Sequence, residues 1–375
     1  MKGFRLVLAA AVSFAVAAFP YFSHAFHEGG VGYCEGCHAL HGEGGGGSAS
    51  LLQGADPSST CLRCHGDAAG SAAVLSSTGD RYTPGGDFYW LKKTYAWSSS
   101  RGEGVSPGER HGHNVVASEF GMSPDGTLTA APGGEYPSGS LSCISCHDPH
   151  GKTSGSEGGA IAVSGSYGES APEGTSAGSY RLLGGAGYAD GSGVVFAQEA
   201  PVARASADWR ETDANHVAYG SGMSEWCANC HGALLDAAQT GKKHPAGSGA
   251  RLSAAIAANY NSYVRTADLT GDRETAYLAL VPFEVGTADV SLLDPSSRRG
   301  PDTEANVMCL TCHRAHASAF TSAGRWDFKA AFLAESHPGP DEGGSDSLHS
   351  YYGRDLVAEL GPYQRSLCNK CHVKD

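Results

Sequence analysis

Residues 143–151 read Cys-Ile-Ser-Cys-His-Asp-Pro-His-Gly, and this stretch decides the architecture. Two cysteines three apart, followed at once by a histidine, form the C-x-x-C-H pattern of c-type haem attachment. The thiols add across the two porphyrin vinyl groups and the histidine reaches the iron. His150 stands three residues beyond His147, too close in sequence to cross easily to the opposite face of the same porphyrin. It is therefore expected to ligate the iron of a neighbouring haem, so that one short segment ties two cofactors together.

The pattern occurs six times, at Cys34/Cys37/His38, Cys61/Cys64/His65, Cys143/Cys146/His147, Cys227/Cys230/His231, Cys309/Cys312/His313 and Cys368/Cys371/His372. These motifs use all 12 cysteines. A lone C-x-x-C also fits a zinc half-site or a thioredoxin-like redox pair. Six motifs all ending in histidine, with no cysteine left over, leave little room for either and predict six covalently bound c-type haems.

Haem attachment to such motifs requires export, and the amino terminus agrees. Lys2 and Arg5 precede an apolar run from Leu6 to Phe19, and a short polar stretch ending Ser23-His24-Ala25 leads to a cleavage point after Ala25. This is the layout of a signal peptide, and the run is shorter than the ~20 residues that span a bilayer. The expected organisation is a signal peptide over 1–25 and one hexahaem cytochrome c domain over 26–375, secreted, with no transmembrane span. Without Lys2 and Arg5, 24 basic residues face 39 acidic ones. Haem propionates add further negative charge. Nucleic acid and anionic membranes are poor partners for such a body, whereas cationic carriers and metal ions suit it.

Glycine supplies 53 of 375 residues, about twice the usual ~7%. Few long amphipathic segments appear, so the predicted fold is mostly irregular coil with a few short α-helices and minimal β-structure, its core formed by stacked haems. The clearest helix is expected over about 250–267, where Leu252, Ile256, Tyr260, Tyr263 and Val264 follow helical spacing. Shorter helices are expected at 224–238, 325–335, 354–360 and 363–372. Turn signals between 79 and 137, separated by aromatic runs such as Phe88-Tyr89-Trp90, predict short strands or loops over haem faces. The Gly/Ser-rich stretches 42–50 and 152–179 are expected to be a linker and a surface excursion. The motifs beginning at 61, 143, 227 and 309 are spaced at 82, 84 and 82 residues, but their flanking residues do not repeat, so no internal duplication is expected.

The sixth ligand of each iron sets its chemistry: histidine gives a low-potential electron-transfer centre, methionine raises the potential, and a vacancy admits substrate. After cleavage only Met122, Met223 and Met308 remain, so methionine ligation cannot be general. Ten non-proximal histidines remain for six positions. His41, His150 and His316 share the spacing C-x-x-C-H-x-x-H, and His27 lies beside the expected mature terminus. His113 competes with His111, His244 stands alone between the fourth and fifth motifs, and His216, His337 and His349 are further competitors.

Beyond the motifs, the chain carries FHEGGVGYCEGCH at its start, TPGGDFYWLKKTYAW, GHNVVA, SCHDPHGK, VAYGSGMSEWCANCH, HPAGSGA and CLTCHRAHAS, then YYGRDL and PYQRSLCNKCHVKD at its end. In these segments it resembles the OmcS-type hexahaem outer-surface cytochromes of metal-reducing bacteria, over nearly the whole mature chain. The resemblance implies His27, His41, His113, His150, His244 and His316 as the six distal ligands. It implies polymerisation with itself into a conductive extracellular filament, electron exchange with periplasmic and outer-membrane cytochromes, and delivery to extracellular metal oxides, with no catalytic residue. It further implies that His41 reaches across a subunit boundary, to the iron served by His313. A multihaem reductase of a small oxyanion would need one open haem face, and a monomeric periplasmic shuttle would need no assembly contacts.

Overall fold

The computed structural model describes residues 34–39, 51–67, 73–99, 102–149, 180–206, 208–236 and 244–372. The expected signal peptide, both Gly/Ser-rich stretches, and His27, His41 and His150 lie outside the described residues.

Regular structure is short. Among the described residues the longest helix, Met223–Leu235, has 13 residues, and Pro57–His65 and Ala254–Ser262 have nine each. Shorter α- and 3₁₀-helical turns accompany them, with two antiparallel ribbons among the described residues: β1 (Tyr95–Ser99) with β2 (Gly102–Ser106), and β3 (Val202–Arg204) with β4 (Ala218–Ser221). Among the described residues no helix is long and apolar enough to cross a membrane.

The expected helix at 224–238 forms as Met223–Leu235, and the other expected helices shorten or fail where caps or tertiary bonds compete. Ser253 caps Ala254–Ser262 by accepting from the Ile256 amide, which starts that helix four residues later than its apolar spacing suggests. Segment 354–360 shortens to Leu356–Leu360 behind the cap Asp355, and 363–372 tightens to a 3₁₀ turn at Leu367–Lys370. Segment 325–335 is not a helix beyond a final turn at Leu333–Glu335. There the Arg325 amide bonds the Cys312 carbonyl and its Nε bonds the Leu310 carbonyl at 2.7 Å, which draws the segment onto the fifth motif. Helix Pro57–His65 was not anticipated. Asp56 caps it, Pro57 fits its first turn, and its second half is the C-x-x-C-H motif itself.

The structure overturns the expectation of no internal repeat. Ser58 accepts from the Cys143 amide at 3.1 Å, and Ser224 accepts from the Cys309 amide at 3.0 Å, each across 85 residues. Cys61 lies against Cys143, and Cys227 against Cys309. The buried hydroxyls of Ser145 and Thr311 accept from the amides of Ser142 and Met308, capping the third and fifth motifs alike.

The loops behind the two proximal histidines match as well. His147 Nδ1 bonds the Arg181 carbonyl at 2.8 Å, and His313 Nδ1 bonds the Ser322 carbonyl at 2.7 Å. Arg181 and Leu182 have φ of 50° and 55°, Ser322 and Ala323 have 61° and 52°. The Asp148 and Arg314 amides bond Leu182 and Ala323, and the Gly184 and Arg325 amides bond Cys146 and Cys312. Two modules with one backbone plan thus carry motifs two and three, and motifs four and five. The repeat is masked in sequence because backbone groups make most of these bonds, and nearly any side chain supplies them.

The polypeptide also builds an aromatic core of its own. Trp90, Tyr260, Leu280, Phe320 and Trp326 are all 2% exposed or less and belong to one cluster running from Leu62 to Leu367. Asp346, buried, accepts from Tyr89 at 2.7 Å and Tyr95 at 2.8 Å, which ties the start of β1 to the segment before the sixth motif.

Candidate haem-binding sites

Three segments cross where the two modules meet. The His316 amide bonds the Gly85 carbonyl at 2.7 Å, the His113 amide bonds the His316 carbonyl at 2.9 Å, and the Ser318 amide bonds the His111 carbonyl at 3.0 Å. The crossing needs glycine. A Cβ on Gly112 would lie 2.3 Å from the His316 carbonyl oxygen, and one on Gly86, whose φ is 89°, would lie 2.0 Å from that of Ala317. Phe88 stacks on the His316 ring at 4.8 Å. The crossing sets His113 and His316 side by side, each facing a different motif.

Three pairs of histidine rings result. His113 stands 6.0 Å from His231, His147 6.2 Å from His316, and His244 6.5 Å from His313, measured between ring centres. Two metal–nitrogen bonds of about 2 Å, plus roughly 1 Å from each nitrogen to its ring centre, give about 6 Å across one metal. Each pair joins a proximal histidine of a motif to a histidine of the expected distal set, so the donors present fit a haem iron between them.

The rings are also oriented for this. Nδ1 bonds a backbone carbonyl in His113 (Ala315, 2.6 Å), His147 (Arg181), His231 (Pro132, 2.8 Å), His313 (Ser322) and His316 (Gly86, 3.2 Å). A carbonyl on Nδ1 fixes the tautomer and leaves Nε2 for a metal. Burial, and then the facing His231, hold His113 down at about 4; burial, and then His147, hold His316 at about 3. Both are neutral imidazoles at ordinary pH, the form a metal takes.

Among the competitors, His111 and His216 have both ring nitrogens bonded, whereas His337 and His349 are bonded through Nδ1. His111 bonds Ser106 through Nε2 at 2.8 Å and the Trp90 carbonyl through Nδ1 at 2.9 Å. His216 bonds the carbonyls of Val217 and Ser297 with both nitrogens and stacks on Tyr277 at 3.7 Å. His337 stacks on Trp97 at 4.0 Å and bonds Glu342 at 2.9 Å. His349 bonds the Thr78 carbonyl through Nδ1 at 2.9 Å and packs beside Tyr82. No ring contact between described histidines involves His38, His65 or His372, and their candidate partners His27, His41 and His150 lie outside the described residues. Cys37, Cys61, Cys64, Cys143, Cys146, Cys227, Cys230, Cys309, Cys312, Cys368 and Cys371 are free thiols, standing for the thioether sulfurs of attached haems.

Compared with known proteins, the chain is 43% identical to the C-type cytochrome OmcS of Geobacter sulfurreducens, over all of both chains. The chain belongs to the OmcS-type c-type cytochromes. No family model matches it. Two solved structures agree with this cytochrome in fold: an Outer Membrane Cytochrome S filament at TM-score 0.77 and 43% identity, and OmcS nanowires determined by cryo-EM at TM-score 0.78 and 42% identity. Each match covers 93% of this chain and 100% of the other. The short helices, sparse strands and extensive coil are thus those of a multihaem cytochrome, and covalently bound haem is its cofactor.

Sequence reasoning missed the serines that join the motifs in pairs, although Ser-x-x-Cys at 58–61 and 224–227 was visible. It also missed the carbonyl that orients each ring, for which no side-chain signal exists.

Proposed function

We propose that this cytochrome is a secreted electron conduit that binds six haems through its six motifs and polymerises into an extracellular filament, delivering electrons to acceptors such as metal oxides. The observation that carries this reading is the set of three facing histidine pairs, each one metal's width apart. Haem iron, when bound, supplies a one-electron redox centre with no open face where two imidazoles hold it. The chain's own residues do the rest. The motif cysteines anchor, the carbonyls on Nδ1 hold each imidazole in the ligating tautomer, and the Ser58 and Ser224 contacts keep paired motifs adjacent. On this reading the protein turns over no substrate, and the filament structures of its relatives support assembly with copies of itself.

A second reading of one pair rests on the repeat. His316, three residues after His313, faces His147 of the preceding module. The same step backward sends His150 to His38, and sends His41 to His313 of a neighbouring subunit. Likewise His113 faces the proximal histidine of the fourth motif, so His27 and His244 would face those of the second and sixth, His65 and His372. The 6.5 Å contact between the His244 and His313 rings supports instead a pairing of these two within one chain, an alternative to the pairing of His41 with His313 that the resemblance implied.

The test is high-resolution electron microscopy of the secreted protein, with haem counting by intact mass. Six haems between histidine pairs in a filament support the conduit. One iron with a single protein ligand in the assembled state favours a reductase, and the partner seen opposite His313 decides between His244 and His41.

A further inference from the structure

The two modules share a backbone plan but not their charge. Behind the third motif the equivalent positions hold Asp148 and Gly184; behind the fifth they hold Arg314 and Arg325. Both arginines converge on one carboxylate, Glu211. Arg325 Nη1 lies 3.2 Å from Glu211 Oε2, and Arg314 Nη1 bonds the same oxygen. The three side chains are 0–2% exposed. Arg314 also donates to the Pro84 carbonyl at 3.0 Å and lies 3.9 Å over the Tyr352 ring, while Arg325 donates to the carbonyls of Leu310 and Ala279 at 2.7 and 2.8 Å.

Two guanidiniums on one carboxylate leave a formal charge of +1 in a site closed to water. Fixed charges there act at much lower effective dielectric than surface charges do. The group is tied to the fifth motif by the bonds from Arg325 to Leu310 and Cys312. The Arg325 amide meets the carbonyl of Cys312, the residue just before His313, and its Nε meets that of Leu310, so the charge is held within the fifth motif's own backbone. Reducing ferric haem removes one positive charge. A fixed positive charge beside it therefore favours the reduced state.

We propose that the buried Arg314–Glu211–Arg325 group sets the haem held by Cys309, Cys312 and His313 at a higher reduction potential than its structural counterpart held by Cys143, Cys146 and His147. This rests on the haem reading of those motifs. Electrons on one subunit then rest preferentially in the second module, which gives the conduit a potential step between two sites of like geometry.

Intact mass of the secreted holoprotein tests the haem reading separately: six haem additions sustain it, fewer sink it. A redox titration followed by NMR of the individual haems then tests the proposal. In the unaltered protein the haem of the fifth motif titrates above that of the third; equal or reversed order overturns the idea without any variant. Arg325→Gln shifts the fifth haem downward by a tenfold change in its reduction equilibrium, about 59 mV for one electron. Glu211→Gln shifts it upward, and Arg325→Lys leaves it near the original value. If Arg325→Gln and Glu211→Gln move it in the same direction, the group acts through packing and the charge argument is wrong.

Discussion

The modules around motifs two and three and around motifs four and five differ most in how their first helices begin. Helix Pro57–His65 is capped locally: Asp56 accepts from the Ser59 amide at 2.6 Å and from the Ser118 amide at 2.8 Å. Helix Met223–Leu235 follows Gly222 at φ 89° and has no side-chain cap of its own. Its Met223 amide is met by Glu284, 61 residues away and fully buried, at 2.7 Å. A cap beside its own helix is set by sequence and keeps its charge in contact with water. A cap brought from afar arrives through the core and carries the desolvation with it.

The proposed ligation is tested most directly at the two histidines of the crossing. His316→Ala and His113→Ala are each expected to convert one haem to high spin while all six stay attached, read by electron paramagnetic resonance. His111→Ala, with a ring bonded at both nitrogens, leaves every haem low spin and lowers only stability. A spin change in His111→Ala would mean that the wrong histidine has been assigned to the crossing.

The caps predict opposite responses to pH. Burial pushes the Glu284 carboxyl up to about 7 from its ordinary 4.5. The folded state then holds the proton more tightly than the unfolded one, so this contribution is full below about 4.5 and is lost as pH rises through 7. It amounts to something on the order of 3 kcal/mol. For Asp56 burial acts upward, but hydrogen bonds from Ser118 and Ser59 outweigh it and hold the carboxyl below 3.8. That contribution is present above 3.8 and is lost as pH falls further. Hydrogen exchange across pH should show helix Met223–Leu235 loosening toward neutrality, and Glu284→Gln should flatten that slope. A slope that survives the substitution would point to a different titrating group.

Next in size are the two serines. Ser58→Ala and Ser224→Ala each orphan a motif amide, at a cost of about 1–3 kcal/mol apiece. Denaturant titration should give similar losses, since the two contacts are geometrically alike; a large inequality would mean that the modules are less equivalent than their backbones. The smallest effect is expected at the exposed pair Arg63–Glu119, 3.1 Å apart. Arg63→Ala should cost under about 1 kcal/mol, and less in high salt.

The sequence by itself determined the cofactor chemistry, because C-x-x-C-H acts within five residues and needs no knowledge of the rest of the fold. It also determined the scarcity of regular structure, which follows from glycine content, and helix 223–235 to within three residues. Segment 325–335 was misread because helical spacing is a local signal, while Arg325 is held by Leu310 and Cys312 from another part of the chain. The histidine pairs were beyond the sequence for the same reason. His113 and His231, or His147 and His316, are brought together only by the crossing at Gly86 and Gly112, and nothing in their neighbours states the partner. The repeat was hidden because backbone amides and carbonyls maintain it, leaving side chains free to diverge. That freedom let one module place Asp148 and Gly184 where the other buries Arg314 and Arg325, a difference of charge that only the tertiary structure sets beside the haem-binding cysteines.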